Sequence, residues 1–155
     1  MSTPQRSLLG RSSTAIGSSV PVSKMSSSYN CDQGVAEMVS ELMNAATTFH
    51  KLHLKVEGVG SYAAHKTLDD LYSSMHGFAD TLAEGYQGAA CCILKYNESA
   101  PKTVNTVSDA ITLLKTLKDM VCSLQDNMPY TEIVNDLDTI KSEFNSAMYK
   151  LTFLK

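Results

Sequence analysis

The sequence lacks tryptophan altogether, and it has no long hydrophobic run. Its longest apolar stretch is AACCIL, residues 89–94, whereas a membrane-spanning helix needs about 20 apolar residues. The formal net charge is −3, so the surface as a whole has no positive excess with which to bind nucleic acid. These absences argue against a membrane protein and against a uniformly basic nucleic-acid-binding protein.

The sequence lacks the cysteine spacing of a zinc site, although it has four cysteines. The adjacent Cys91 and Cys92 do not form a C-x2-C motif, and Cys31 and Cys122 are too scattered to complete one. We therefore expect reduced, mostly packed thiols in a reducing compartment. The remaining composition, 155 residues with 43 % hydrophobic, predicts one domain with a real core.

Acidic residues are missing from the first thirty positions, which contain ten serines and no sustained apolar period. This composition predicts a disordered tail over residues 1–30, followed by one domain over residues 31–155. Three roles for the tail stay open. It resembles an organelle transit peptide, it offers weak DNA contact through Arg6, Arg11 and Lys24, or it anchors the domain in a larger assembly.

The rest of the chain shows four amphipathic segments with helical period and no strand alternation, so we predict an all-α fold. The long connection from about Ala89 to Lys102 favours a ferritin-like four-helix bundle with one crossover between helices two and three. The expected helices run from Asp32 to the glycines at 58 and 60, from an N-cap at Ser61 to Gly85–Gly88, from Thr103 to Gln125, and from Pro129 to the C-terminus.

A polar stripe runs beside the apolar face of predicted helix two. Five side chains fall within an arc of about 100° on a helix that turns about 100° per residue. Lys66 is the only cation between residues 56 and 94, and the projection places it off the stripe. Imidazoles and carboxylates without cations suit a divalent metal better than a salt-bridged surface. The stripe consists of His65, Asp69, His76, Asp80 and Glu84.

Two pairs in the stripe have chelating spacing. His65 and Asp69 are four residues apart, as are Asp80 and Glu84, so each pair can meet one ion. Eleven residues separate Asp69 from Asp80, about 16 Å along a helix, so both pairs of one chain cannot share an ion. A site using both needs two copies with helix two antiparallel, which predicts a homodimer. His53, just before the glycine turn, completes the first half.

These residues resemble the Dps family, the starvation-induced mini-ferritins that oxidise iron and often protect DNA. The family has a histidine ending helix one, a V-x-G turn, an aromatic residue, then H-x3-D and D-x3-E. The matching positions, all within residues 50–86, are His53, Val56, Gly58, Tyr62, His65, Asp69, Asp80 and Glu84. Family members commonly have tryptophan after the first histidine, where this chain has Leu54.

The resemblance implies a ferroxidase centre that binds Fe²⁺/Fe³⁺ at a dimer interface. His53, His65 and Asp69 of one chain would act with Asp80 and Glu84 of the other, both as metal ligands and as catalytic residues. It further implies a dodecamer-type cage for iron storage or detoxification, DNA protection, and a cytoplasmic or nucleoid location.

A second hypothesis is a ferritin-like structural or packing subunit of a larger assembly, such as a virion, with little or no ferroxidase activity. The serine-rich tail, a crossover unlike that of Dps and the missing tryptophan favour it. The sequence leaves these two functions open.

Overall fold

A computed structural model describes residues 30–154 of the chain, which form four helices and no strand. The predicted all-α class is therefore confirmed for the described part. The expected tail, including Arg6, Arg11 and Lys24, lies outside it up to residue 29, and so does residue 155. The helices are α1 (Cys31–His53), α2 (Ser61–Ala90), α3 (Val107–Gln125) and α4 (Thr131–Phe153).

Apolar residues from all four helices meet in one core. The helix α1 packs against α2 and α3, and α4 packs against the same two helices on the other side. Leucines, methionines and phenylalanines at helical spacing fill the centre, as the amphipathic period predicts. The largest fully buried side chains are Phe49, Phe144, Met38, Leu42, Leu52, Leu68, Leu71, Met75, Leu82, Leu114, Leu117 and Leu124.

The connection between α2 and α3, residues 91–106, runs beside α1 towards its C-terminal end. Near its middle, Asn44 donates to Ser99 at 2.6 Å. Further along, Lys102 lies 2.9 Å from Glu41, and its carbonyl accepts a hydrogen bond from Thr48 at 3.0 Å. Because the connection travels this way, α3 begins near the end of the molecule where α1 stops.

Several predicted helix limits are wrong by a few residues. The N-cap of α2 is Gly60, with a left-handed φ of +79°, and Ser61 is already helical. The helix passes through Gly85 and ends only at Ala90. At the start of α3, Thr106 and Asp109 form a reciprocal capping box, so the helix begins later than Thr103.

The fourth helix starts at Thr131, so Pro129 precedes it and does not occupy its first turn. Leu154 is its C-cap. Within residues 30–154, no helix combines the length and apolar character that crossing a membrane requires.

Candidate metal half-site at the turn between α1 and α2

A tight turn folds α2 back against α1 and places His53 opposite His65. The helix α1 ends at His53, where the Leu54 N–H donates to carbonyls of the last turn. Gly58 and Gly60 then adopt positive φ angles of +84° and +79°, which glycine reaches without steric cost. The Ser61 N–H donates to the Gly58 carbonyl at 3.1 Å and closes the turn.

The imidazoles of His53 and His65 stack, with ring centroids 3.9 Å apart. Nδ1 of His65 lies 3.1 Å from the backbone carbonyl of His53, which can only accept a hydrogen bond. The proton of a neutral His65 ring therefore sits on Nδ1, and Nε2 keeps its lone pair. Metal-binding histidines are commonly oriented in this way by a backbone carbonyl.

His53 is buried, with 8 % of its surface exposed. Its Nδ1 has no hydrogen-bond partner among the described residues. Burial lowers the pKa of His53, and the neighbouring His65 lowers it further, so the ring is neutral at pH 7. A neutral imidazole can bind a metal ion, and a buried nitrogen without a partner destabilises the folded chain until it finds one.

Asp69 joins the two histidines one turn after His65. One carboxylate oxygen lies 3.9 Å from Nε2 of His53. The other accepts from Nζ of Lys66 at 3.0 Å. Lys66 is the main cause that lowers the pKa of Asp69, and a hydrogen bond from Tyr72 lowers it further. The cluster therefore combines two imidazoles and one ionised carboxylate.

The expectation that Lys66 stays away from the metal-binding stripe is wrong. At about 100° per residue, Lys66 falls at the same angle as Glu84, on the edge of the stripe. It also lies three residues before Asp69, so its ammonium group reaches that carboxylate. The first half-site therefore contains a cation that the sequence-based expectation left out.

Sequence reasoning also missed His50 and Tyr72. Their rings stack with centroids 4.1 Å apart, and the ring of Tyr72 meets that of His53 edge-on at 5.4 Å. His50 lies one turn before His53, with ring centroids 5.9 Å apart. The spacings His50-x-x-His53 and Asp69-x-x-Tyr72 were the available signals, since residues three apart share a helix face.

The structure does not bring Asp80 and Glu84 to this cluster. Both lie exposed further along the uninterrupted α2, as does His76. Neither carboxylate forms an ion pair within the described part of the chain. Among residues 30–154, no three His, Cys, Asp or Glu side chains are placed to hold a metal ion. One chain therefore presents separated groups of donors and no complete site.

Comparison with known proteins gives two findings. The model of a family described as a family of unknown function, DUF5856, matches residues 53–151. The chain is also similar to an uncharacterized 14.6 kDa protein in the mobD-ri intergenic region of Enterobacteria phage T4. The two are 29 % identical over 116 residues, which cover 75 % of this chain and 86 % of the phage protein.

These findings overturn the resemblance to Dps, because the family whose model matches is DUF5856 and the phage relative is described only as uncharacterized. The resemblance rested on residues 50–86, whereas the family match extends across α2, α3 and most of α4. The H-x3-D and D-x3-E elements on which the Dps resemblance rested have the spacing of one helical turn. Such spacing recurs on any helix with a continuous polar face, so the motif does not identify a family.

Proposed function

The chain belongs to DUF5856, a family of unknown function, and we propose that it binds and oxidises ferrous iron between two copies of itself. One observation carries the proposal: the buried His53 stacks on His65, and its Nε2 lies 3.9 Å from a carboxylate oxygen of Asp69. Two imidazoles and a carboxylate in such proximity offer nitrogen and oxygen donors to one ion.

The donors suit the substrate ion. Imidazole nitrogen and carboxylate oxygen are ligands that ferrous iron accepts. The hydrogen bond from His65 to the His53 carbonyl leaves Nε2 of His65 free to coordinate. The carboxylate of Asp69 supplies negative charge beside the two rings. His53, His65 and Asp69 are not placed to hold an ion by themselves, and they would form one half of a site for Fe²⁺ that further ligands complete.

The second half would come from Asp80 and Glu84 of the other copy. A continuous helix separates Asp69 from Asp80 by about 16 Å, so the two groups of one chain cannot converge. Antiparallel pairing of two α2 helices about a twofold axis places each group opposite its complement and forms two sites at once. The exposed, unpaired carboxylates on α2 are available for this role.

In such a site Fe²⁺ is the substrate, and its oxidation to Fe³⁺ by oxygen or hydrogen peroxide is the proposed activity. Storage or detoxification of iron would be the biological role. The proposal includes a ferritin-like topology, that is, a four-helix bundle with one crossover connection. This topology does not make the chain a member of the ferritin family. The dodecamer-type cage followed from the Dps resemblance alone and is no part of it. DNA protection would depend on Arg6, Arg11 and Lys24 in the tail.

A double variant tests the proposal. We expect His65→Ala with Asp80→Ala to lose Fe²⁺ binding and at least tenfold in the rate of Fe²⁺ oxidation, because it removes a ligand from each half. Asp70→Asn is the matched control, since Asp70 is an exposed carboxylate on the same helix that faces Lys150 at 4.0 Å. Equal oxidation by the wild-type chain and the double variant would contradict the proposed centre.

A packing subunit of a larger assembly, such as a virion, is the second candidate function. The similarity to a phage T4 protein favours it, as do exposed apolar side chains beside the turn. Leu54, Val59 and Tyr62 are 71 %, 96 % and 78 % exposed, which suits contact with another protein. Self-association that is independent of Fe²⁺, together with no Fe²⁺ oxidation by the wild-type chain, would favour this function over the iron site.

A further inference from the structure

We propose that Lys66 is a built-in counter-ion of Asp69 that competes with the metal ion and lowers the affinity of the half-site. This inference rests on the proposed metal site and names the residue that regulates it. The ammonium group is 3.0 Å from one oxygen of the carboxylate whose other oxygen lies near His53. The cation therefore occupies one side of a ligand that the metal would use.

Lys66 lies at the surface, where its side chain can move away from Asp69 when an ion binds. About half of its side chain is exposed, and about a third of that of Asp69. A lysine at such a position can swing into solvent when a divalent ion arrives, because surface ion pairs are weak. Before it moves, its charge repels the incoming cation and neutralises the carboxylate.

The charges around the pair support this role. Asp70 is the other acidic group that acts on Lys66, and it also faces Lys150 on α4 at 4.0 Å. Asp69 has no second lysine or arginine in contact within the described residues. Removing the charge of Lys66 would therefore leave the carboxylate of Asp69 free for the ion.

The test is isothermal titration of Co²⁺ into the full-length chain at pH 7 and low salt. Co²⁺ binds to the same donors, and no redox activity is needed for the measurement. We expect Lys66→Gln to bind Co²⁺ about three- to tenfold more tightly than the wild type, the size expected from removing one nearby like charge in water. The difference should shrink at high salt, where exposed charges are screened.

Two control variants sharpen the result. Lys51→Gln removes the same charge from an exposed position in the last turn of α1 and should leave the affinity unchanged. Lys51 forms no ion pair within the described residues. Lys66→Arg retains the charge beside Asp69 and should bind Co²⁺ no more tightly than the wild type. Circular dichroism of each variant checks that the helices persist.

The outcomes separate the two proposals. If the wild type binds Co²⁺ and Lys66→Gln binds it equally or more weakly, Lys66 is no competitor, and the metal site stands without it. If neither the wild type nor Lys66→Gln binds Co²⁺, the metal site itself is wrong, and the role of Lys66 is wrong with it.

Discussion

At position 53 the chain keeps a buried imidazole where an apolar ring would suit the folded chain better. The ring is 8 % exposed and is packed against His65 and Tyr72. Its Nδ1 is unpaired among the described residues. An unsatisfied buried nitrogen costs about 1–3 kcal/mol of folding free energy. A histidine at such a position is typical of a binding residue, since function often opposes stability, and here Nε2 is the ring nitrogen that faces Asp69.

Replacing His53 by phenylalanine tests this interpretation. Phenylalanine retains an aromatic ring for the contacts with His65 and Tyr72 and removes the unpaired nitrogen. We expect His53→Phe to raise the free energy of unfolding at pH 7 by about 1 kcal/mol, and to abolish Fe²⁺ binding. Chemical denaturation followed by circular dichroism measures the first, and titration the second. A marked loss of stability would mean that the imidazole itself holds the turn together.

The same variant has a pH readout. Burial lowers the pKa of His53 below its usual 6.5. As the pH falls below 6.5, the imidazole is therefore protonated in the unfolded chain before it is protonated in the folded chain. The free energy of unfolding should therefore decrease from pH 6.5 downwards until the folded-state pKa is passed. His53→Phe should show a weaker decrease over this range than the wild type.

The proximity of His53, His65 and Asp69 was predictable, because one glycine turn and one helical repeat determine it. The positions of Lys66, His50 and Tyr72 were not predicted. At about 100° per residue, Lys66 falls at the angle of Glu84, on the edge of the stripe, so the projection itself allowed its place beside Asp69 and the expectation overlooked it. The stacking of His50 on Tyr72 depends on how α1 packs against α2, which periodicity alone does not give.

At the scale of helices, the apolar faces were predictable and the ends less so. The start of α3 illustrates this. Thr106 accepts from the Asp109 N–H at 3.1 Å, and the Asp109 carboxylate accepts from the Thr106 N–H at 3.0 Å. The apolar stripe begins earlier, at Val104, but Val104 is buried as part of the connection. Periodicity therefore extended the predicted helix past its actual cap.

The cap of α3 gives a prediction for this scale. Thr106→Ala removes the hydroxyl that accepts from Asp109, and should lower the free energy of unfolding by about 1 kcal/mol. Thr112→Ala is the matched control, since that hydroxyl only bonds back to the Ser108 carbonyl within the helix. It should be neutral or slightly stabilising. Equal effects of the two substitutions in thermal denaturation would show that the capping box does not stabilise α3.

At the scale of the whole molecule, the number of helices was predictable, whereas the family was not. Four amphipathic segments and one long connection follow from composition and period. The sequence motif that suggested Dps consists of single-turn spacings, which many unrelated helices share. The family match spans residues 53–151 and so reflects the whole pattern of three helices. The short polar motif thus suggested a metal site, which stays a prediction, and a family, Dps, which is wrong.

The central claim is that two chains share one metal site, and mixing two complementary variants tests it most directly. His65→Ala damages the first half and Asp80→Ala the second, so each variant alone should lose Fe²⁺ binding and oxidation. In mixed dimers, the intact halves meet in one of the two sites. Random one-to-one co-assembly should therefore restore about a quarter of the wild-type sites, by the symmetry of such a dimer. Two folded variants that together oxidise no more Fe²⁺ than they do apart would contradict the shared site.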